Sequence, residues 1–453
     1  MNQRFLWMAV SAAWTLGCMS AVRADYRQKA EEATDYVQEH FYDAASKRYH
    51  GNYPMKPGDL EFVTMWGCGV QLAVLADATR EDPRKYKRLL YDFTEGLQTY
   101  WDPQGPVPGY NAYCSGPGGA DKYYDDNEWI VLDFVNAYEA TKDPTFLKRA
   151  NDTQTFVLSG WDDKLGGGIY WKLDHKSKNT CSNGPAAAAA LRIAQANKDK
   201  NQVEWAERIR TWTNAALQDS DGLYWDNIDL DKKVEKSKWS YNTALMIWTN
   251  VLLYQTKKDA AYLAEARRLA DASLARWTDP DTGSLHKSED SPLFTHLLCE
   301  SLLRLYDVGR DVKYLNAVRR EASFAYRYAR DPQGGYRDHW KKDNKGPEER
   351  KQLILSASAA RLFWLLSPYK DVDALYADGI QAAGRGKDGK AELLLRQAVE
   401  SDPENVEALY ALWRVLVRER KTADAAVEGA RLKTMASDPE MGRRLTRLGW
   451  QIP

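Results

Sequence analysis

The sequence predicts an all-α protein, an (α/α)6 toroid of six helical hairpins followed by a small helical module, and three observations carry that prediction. Internal similarity recurs about every 50 to 60 residues. Within each repeat an amphipathic segment alternates with a nearly all-apolar one. The links between repeats, such as Thr141-Lys-Asp-Pro144 and Thr256-Lys-Lys-Asp259, are short, which forces neighbouring helices to run antiparallel. Alternating helices of this kind bury best as two concentric rings, amphipathic outside and apolar inside.

In chain order, residues 1–24 read as an export signal: Arg4 in a short basic start, an apolar stretch from Phe5 to Gly17, and Val22-Arg23-Ala24 as a small-x-Ala cleavage site. The chain is therefore expected to be periplasmic or secreted, with Cys18 as an alternative point of lipid attachment. The apolar run is too short for a membrane span. Residues 25–368 form the toroid. Amphipathic helices are expected to start near Tyr26, Arg84, Pro144, Gln202, Ala260 and Val312, and apolar helices near Phe62, Asp126, Pro185, Tyr241, Pro292 and Gln352. Between them run long loops punctuated by Gly and Asp-Pro turns, as in Asp331-Pro-Gln-Gly-Gly-Tyr336. Hairpin geometry gathers these loops and the inner-helix N-termini on one face, where a pocket with partial positive charge is expected. In residues 369–453 the aromatics thin out. From Val372 to Pro403 the chain follows a tetratricopeptide-like spacing, with Leu375, Gly379, Ala382, Ala391, Leu395 and Ala398 at packing positions. Two such units are few for an array standing alone, which points to a protein partner or to docking on the toroid.

Composition narrows the function. Among 453 residues, 63 Lys and Arg face 64 Asp and Glu, which excludes the basic field of a nucleic-acid binder. The 17 Trp and 26 Tyr offer flat faces with polar handles, suited to stacking on sugars as well as to a large core. Four cysteines remain after cleavage, Cys68, Cys114, Cys181 and Cys299, and can pair in three ways. Cys114 and Cys181 precede neighbouring inner helices and are candidates for a disulfide. The six histidines are scattered without metal-ligand spacing. Gly384-Arg-Gly386-Lys-Asp-Gly389 matches a dinucleotide fingerprint in letters but follows no strand and reads as a helix-hairpin turn. No Gly-x-Ser-x-Gly elbow occurs.

The segment Asp121-Lys-Tyr-Tyr-Asp125-Asp126-Asn127-Glu128-Trp129 concentrates acids and rings at the expected pocket face. One aspartate would serve as a helix cap, but a cap needs only one. Neighbouring residues have Cα atoms about 3.8 Å apart, so their carboxyls can approach the roughly 5 to 5.5 Å used by retaining glycosidases. Like charge at that range raises the proton affinity of one member, so that one serves as acid while the other stays ionised.

The motifs Tyr123-Tyr124-Asp125-Asp126-Asn127-Glu128-Trp129-Ile130, Gly166-Gly167-Gly168-Ile169-Tyr170-Trp171, Lys178-Asn179-Thr180-Cys181-Ser182-Asn183-Gly184 and Trp239-Ser240-Tyr241-Asn242 occur in that order. In this the chain resembles glycoside hydrolase family 76, the endo-α-1,6-mannanases and related cell-wall proteins, over roughly Asp25 to Pro368. The resemblance implies a retaining reaction on α-mannan or manno-oligosaccharides, with Asp125 as nucleophile, Asp126 as general acid/base, and no metal or organic cofactor. Other inner-helix N-terminal segments supply candidate sugar contacts: Trp66, Tyr124, Trp171 and Tyr241 for stacking, and Asn183, Asp226 and Asn242 for hydroxyls. The segment around Pro292-Leu-Phe294 departs from the family pattern, which bears on the shape of the cleft. Other readings share the fold: a transglycosidase, another sugar-processing enzyme, or a non-catalytic glycan-binding or scaffold protein.

Overall fold

A computed structural model describes residues 25–114, 121–285, 290–344, 346 and 350–450. The export signal and Cys18 lie outside the described residues. No described helix is long and apolar enough to cross a membrane. The chain divides into two compact units, the larger comprising Lys29–Val318 and Phe324–Leu365, the smaller Arg319–Ser323, Leu366–Pro453 and the described part of Met1–Gln28.

The larger unit is the helical toroid. Its outer helices are α1 (Tyr26–Phe41), α3 (Pro83–Gly96), α5 (Pro144–Ser159), α7 (Lys200–Leu217), α9 (Ala260–Trp277) and α11 (Val312–Phe324). The inner helices are α2 (Met65–Glu81), α4 (Tyr124–Thr141), α6 (Thr180–Asn197), α8 (Ser240–Lys257), α10 (Pro292–Gly309) and α12 (Leu353–Leu366). Inner helices are buried nearly all round; every residue of α6 from Thr180 to Ala194 is buried.

The short links share one local structure. Lys142, Lys198, Lys258 and Arg310 end their inner helices with φ near +60°, each returning its N–H to the carbonyl four residues earlier at 2.7–2.8 Å. An aspartate follows at once and caps the next outer helix, as Asp143 does by accepting from the Thr145 N–H at 2.9 Å. Pro83 and Pro144 stand at the first helical position, where a missing N–H costs nothing.

Inner helices start differently. Thr64, Tyr123, Asn179 and Trp239 precede α2, α4, α6 and α8 without any side-chain cap. Instead the first N–H donates to a carbonyl in the long loop of the next repeat: Met65 to Ala112, Tyr124 to Trp171 and Thr180 to Asp226, each at 2.8 Å. The last inner helix completes the circle, Leu353 donating to Gly51 in the first repeat at 2.9 Å. Beside that bond, Asn52–Tyr53 pairs antiparallel with Lys351–Gln352.

Two inner starts depart from the sequence reading. α2 begins at Met65 rather than Phe62, and α6 at Thr180 rather than Pro185. Pro185 lies within the second turn of α6 instead of opening it, at the expense of one backbone hydrogen bond to the carbonyl of Cys181. Asn183 and the loop bond to Asp226 hold the extra turn.

Buried charge joins the inner helices at their core. Arg361 of α12 donates to Glu300 of α10 at 2.7 Å and lies 3.8 Å from both Asp77 of α2 and Asp133 of α4. Burial raises the Glu300 carboxyl, but Arg361, Arg304 and Arg192 outweigh it and hold the group down to about 2. Burial pushes Asp133 up to about 8 and His296 down to about 3, so that the imidazole is neutral.

In the smaller unit, α13 (Val372–Gly384), α14 (Asp388–Ser401), α15 (Val406–Arg418), α16 (Thr422–Ala436) and α17 (Pro439–Arg447) surround Leu375, Leu395, Leu409, Leu412 and Leu432. A Cβ on Gly379 would meet Leu395 Cγ at 2.7 Å, so α13 and α14 approach too closely there for any side chain. The Gly384–Gly389 segment is the turn between them, with Gly386 at φ +69°, and no strand precedes it.

Replacing Arg361 by Met should remove the buried guanidinium that Glu300, Asp77 and Asp133 share, leaving Arg304 beside Glu300 and Arg80 beside Asp77. The expected cost is about 3–5 kcal/mol, read as a lower midpoint in urea unfolding.

Candidate active site

The loops that enter the inner helices are pinned by side chains one turn in. Asn127 accepts from the Tyr110 N–H at 2.7 Å and donates to the carbonyls of Tyr110 and Tyr123 at 3.0 and 2.8 Å. Asn183 repeats the arrangement one helix on, accepting from Ile169 at 2.8 Å and donating to Ile169 and Asn179 at 2.9 and 2.8 Å. These brackets hold the first turns of α4 and α6 at the rim of one cavity.

Asp125 and Asp126 stand at the second and third positions of α4, after the N-cap Tyr123. Neither is the cap. Their carboxyls line a cavity of about 560 Å3, yet they are hydrogen-bonded unequally. Asp125 Oδ1 accepts from the Asp126 N–H at 2.9 Å; its Oδ2 accepts from Trp171 Nε1 at 2.9 Å and from the Cys181 thiol at 3.4 Å. The Asp126 carboxyl has no donor among the described residues.

Burial raises both groups. For Asp125 the three donors offset part of that effect and leave it at about 6. Asp126 goes well above its ordinary value, through burial and the Asp125 charge beside it. One turn deeper, Glu128 is fully buried with both oxygens unpartnered, and burial with the two aspartate charges keeps it protonated.

One wall of the cavity is aromatic. Phe294 stacks on Tyr241 at 4.2 Å between ring centroids and on Trp66 at 5.8 Å, and Trp239 leans on it at 5.8 Å. Trp171, 38% exposed, overhangs Asp125. The opposite side is polar, with Ser177, Asn179, Asp226 and Asn227.

Of the sequence candidates, Asp125, Asp126, Trp66, Trp171, Asp226 and Tyr241 thus line one cavity. Tyr124, Asn183 and Asn242 do not. The Tyr124 ring is buried against Phe156 at 4.9 Å, because the first position of α4 turns toward α5. Asn183 is spent on the loop bracket. Asn242 is buried and reaches the cavity only through Asp226 Oδ1, 3.4 Å away. Cys114 and Cys181 carry free thiols, Cys114 facing Arg48 Nη1 at 2.9 Å and Cys181 facing Asp125. Sequence reasoning missed Cys181, Trp239 and Phe294 as lining groups; their common signal is a place at the start of an inner helix. Among the described residues no cluster of three potential metal ligands occurs.

The sequence matches the profile of Glycosyl hydrolase family 76 over residues 14–349. The chain belongs to that family. Its fold superposes on a family 76 α-mannanase of Bacteroides thetaiotaomicron with a TM-score of 0.72, at 26% identity over 77% of this chain and 97% of that one. The α-1,6-mannanase of Salegentibacter sp. HEL1_6 gives a TM-score of 0.64 at 25% identity, over 75% of this chain and 98% of that one. In Saccharomyces cerevisiae, the mannan endo-1,6-alpha-mannosidase DCW1 is 28% identical over 158 residues, 32% of this chain and 35% of that protein.

Because Asn183 is a bracket, Asn183→Ala should act on stability first. We expect a loss of about 2–3 kcal/mol, in line with several buried hydrogen bonds, read by thermal unfolding without ligand. A residue that only bound sugar would change KM and leave the melting temperature in place.

Proposed function

We propose that this family 76 glycosidase is an exported, retaining, endo-acting hydrolase of α-1,6-linked mannan. The observation that carries the reading is the unequal pair: two neighbouring carboxyls lining one cavity, one held by three donors and the other by none. The donors keep Asp125 the more easily ionised, as a nucleophile must be. Asp126, deprived of donors and beside a charge, keeps its proton, as a general acid must. The linkage and the endo mode draw on what the Salegentibacter and Saccharomyces relatives are named for.

In the first step an Asp125 oxygen attacks the anomeric carbon while Asp126 protonates the departing glycosidic oxygen, leaving a mannosyl ester on Asp125. In the second, Asp126, now ionised, takes a proton from water as that water attacks the same carbon and frees Asp125. The aromatic wall stacks on pyranose faces, and Asp226 and Asn227 accept and donate to hydroxyls. Glu128, neutral, adds no second negative charge beneath the pair.

Asp125→Asn and Asp126→Asn should each fold normally and lose activity on linear α-1,6-mannan by at least about 1,000-fold. Proton NMR of the first product should show the α anomer. Wild-type rates in either variant would show that the pair is structural.

The pH dependence follows from the same pair. Activity needs Asp125 ionised and Asp126 protonated. It should fall as the pH drops below about 6, where Asp125 takes up its proton. It should fall again at higher pH, where Asp126 loses its own. The bell-shaped kcat/KM profile should keep its basic limb above its acidic one.

A further inference from the structure

Cys181 has no part in the two steps above, yet it touches the group on which they turn. It stands at the second position of α6, 4% exposed, on a turn fixed by the Asn183 bracket and by the Thr180 bond to Asp226. Its sulfur lies 3.4 Å from Asp125 Oδ2. The Tyr241 ring lines the same cavity and is clamped on Phe294.

We propose that the Cys181 thiol is a positioning residue that fixes the Asp125 carboxylate for attack. The inference rests on the reading of Asp125 as nucleophile. Asp125 Oδ2 has two side-chain donors of different kinds. Trp171 comes from a loop and is partly open to solvent; Cys181 comes from a buried helix that cannot move without the ring. The indole supplies strength and the thiol supplies place. A thiol is a weak donor, so it holds the oxygen in register without draining the electron density that attack requires. The thiol is also protonated: burial first, then the charges of Asp125 and Asp226, raise it well above its ordinary value. Donation therefore runs from sulfur to carboxylate.

The titratable groups facing Asp125 are Asp126 and Glu128 from its own helix, Cys181 from α6 and Tyr241 from α8, while Asp226 from the loop before α8 faces Cys181 and Tyr241. Cys68 of α2 faces Asp126. None of these is a cation, so the donors on Asp125 are what favours its ionised form. Losing one should raise its proton affinity.

The test compares the full-length wild type with Cys181→Ala and Cys181→Ser. In Cys181→Ala the acidic limb of kcat/KM should move up by about half a pH unit, the worth of a modest hydrogen bond, and kcat should fall about tenfold with KM nearly unchanged. Cys181→Ser keeps a donor and should restore most of both. The Asp125 titration, followed by 13Cγ-aspartate NMR in the resting enzyme, should move with the limb. An unmoved titration in Cys181→Ala overturns the proposal, as does an equal loss in Ala and Ser that tracks their thermal stability. If the wild type shows no turnover of α-1,6-mannan while the Asp125 titration moves in Cys181→Ala, the contact stands and the mannanase reading fails instead.

Discussion

In four of the six inner helices the first N–H is taken up by the carbonyl of a neighbouring loop rather than by a capping side chain. Met65, Tyr124, Thr180 and Leu353 donate in this way, the last of them back to the first repeat. Two consequences follow. The loops become part of the ring, since each is bonded to the helix before it, and the closed face is as cooperative as the helices beneath. The first-turn side chains, relieved of capping, are free to face the cavity. In the outer helices the opposite holds: Asp82, Asp143, Asp199 and Asp259 are consumed as caps and contribute nothing to the site.

The same helices are anchored at the other end. α4 carries Asp125 and Asp126 at its start and Asp133 two turns deeper, and Asp133 belongs to the group of carboxyls gathered around Arg361. A rotation of α4 that moved the pair would have to drag a buried carboxyl away from its guanidinium. Gly69 adds a steric limit: a Cβ there would lie 3.1 Å from Trp129 Cβ, so α2 and α4 meet almost backbone to backbone just beneath the pair.

Much of this was legible in the sequence, and the exceptions have identifiable causes. Alternation of amphipathic and apolar segments located every helix of the ring, because burial on one side or on all sides is written directly in residue type. The pair Asp125 and Asp126 was legible because one helix start cannot use two adjacent caps. Side-chain direction was less legible. Tyr124 and Asp125 are neighbours in sequence but point about 100° apart on a helix, so choosing the wrong one for the cavity needs an error of a single position in the start of α4. Asn183 was misread because its brackets join it to Ile169 and Asn179 through backbone atoms, which carry no sequence signature. The start of α6 was missed because proline ordinarily opens a helix, whereas Pro185 is tolerated within one that loop and bracket hold in place. Cys181 and Phe294 are not residue types that by themselves signal sugar chemistry, and only the closed ring brings them to Asp125 and Tyr241.

The electrostatics of the cavity bear on how such a pair would accelerate the proposed reaction. Three carboxyls, Asp125, Asp126 and Glu128, share this region, and none of the described residues lining the cavity is Lys or Arg. A lysine or arginine beside them would let all three ionise and would also neutralise the charge that matters. Burial raises all three, and the donors on Asp125 leave it as the group that ionises most readily. The anomeric carbon gains positive charge as the glycosidic bond breaks. That charge meets one carboxylate in a poorly solvated site, and the attraction exists only once bond breaking has begun. An interaction present in the transition state and absent in the bound sugar is the kind that raises kcat rather than tightening substrate binding. The scarcity of donors around Asp126 and Glu128 is then a requirement of the site, because each added donor would stabilise a second anion and cost Asp126 the proton it has to deliver.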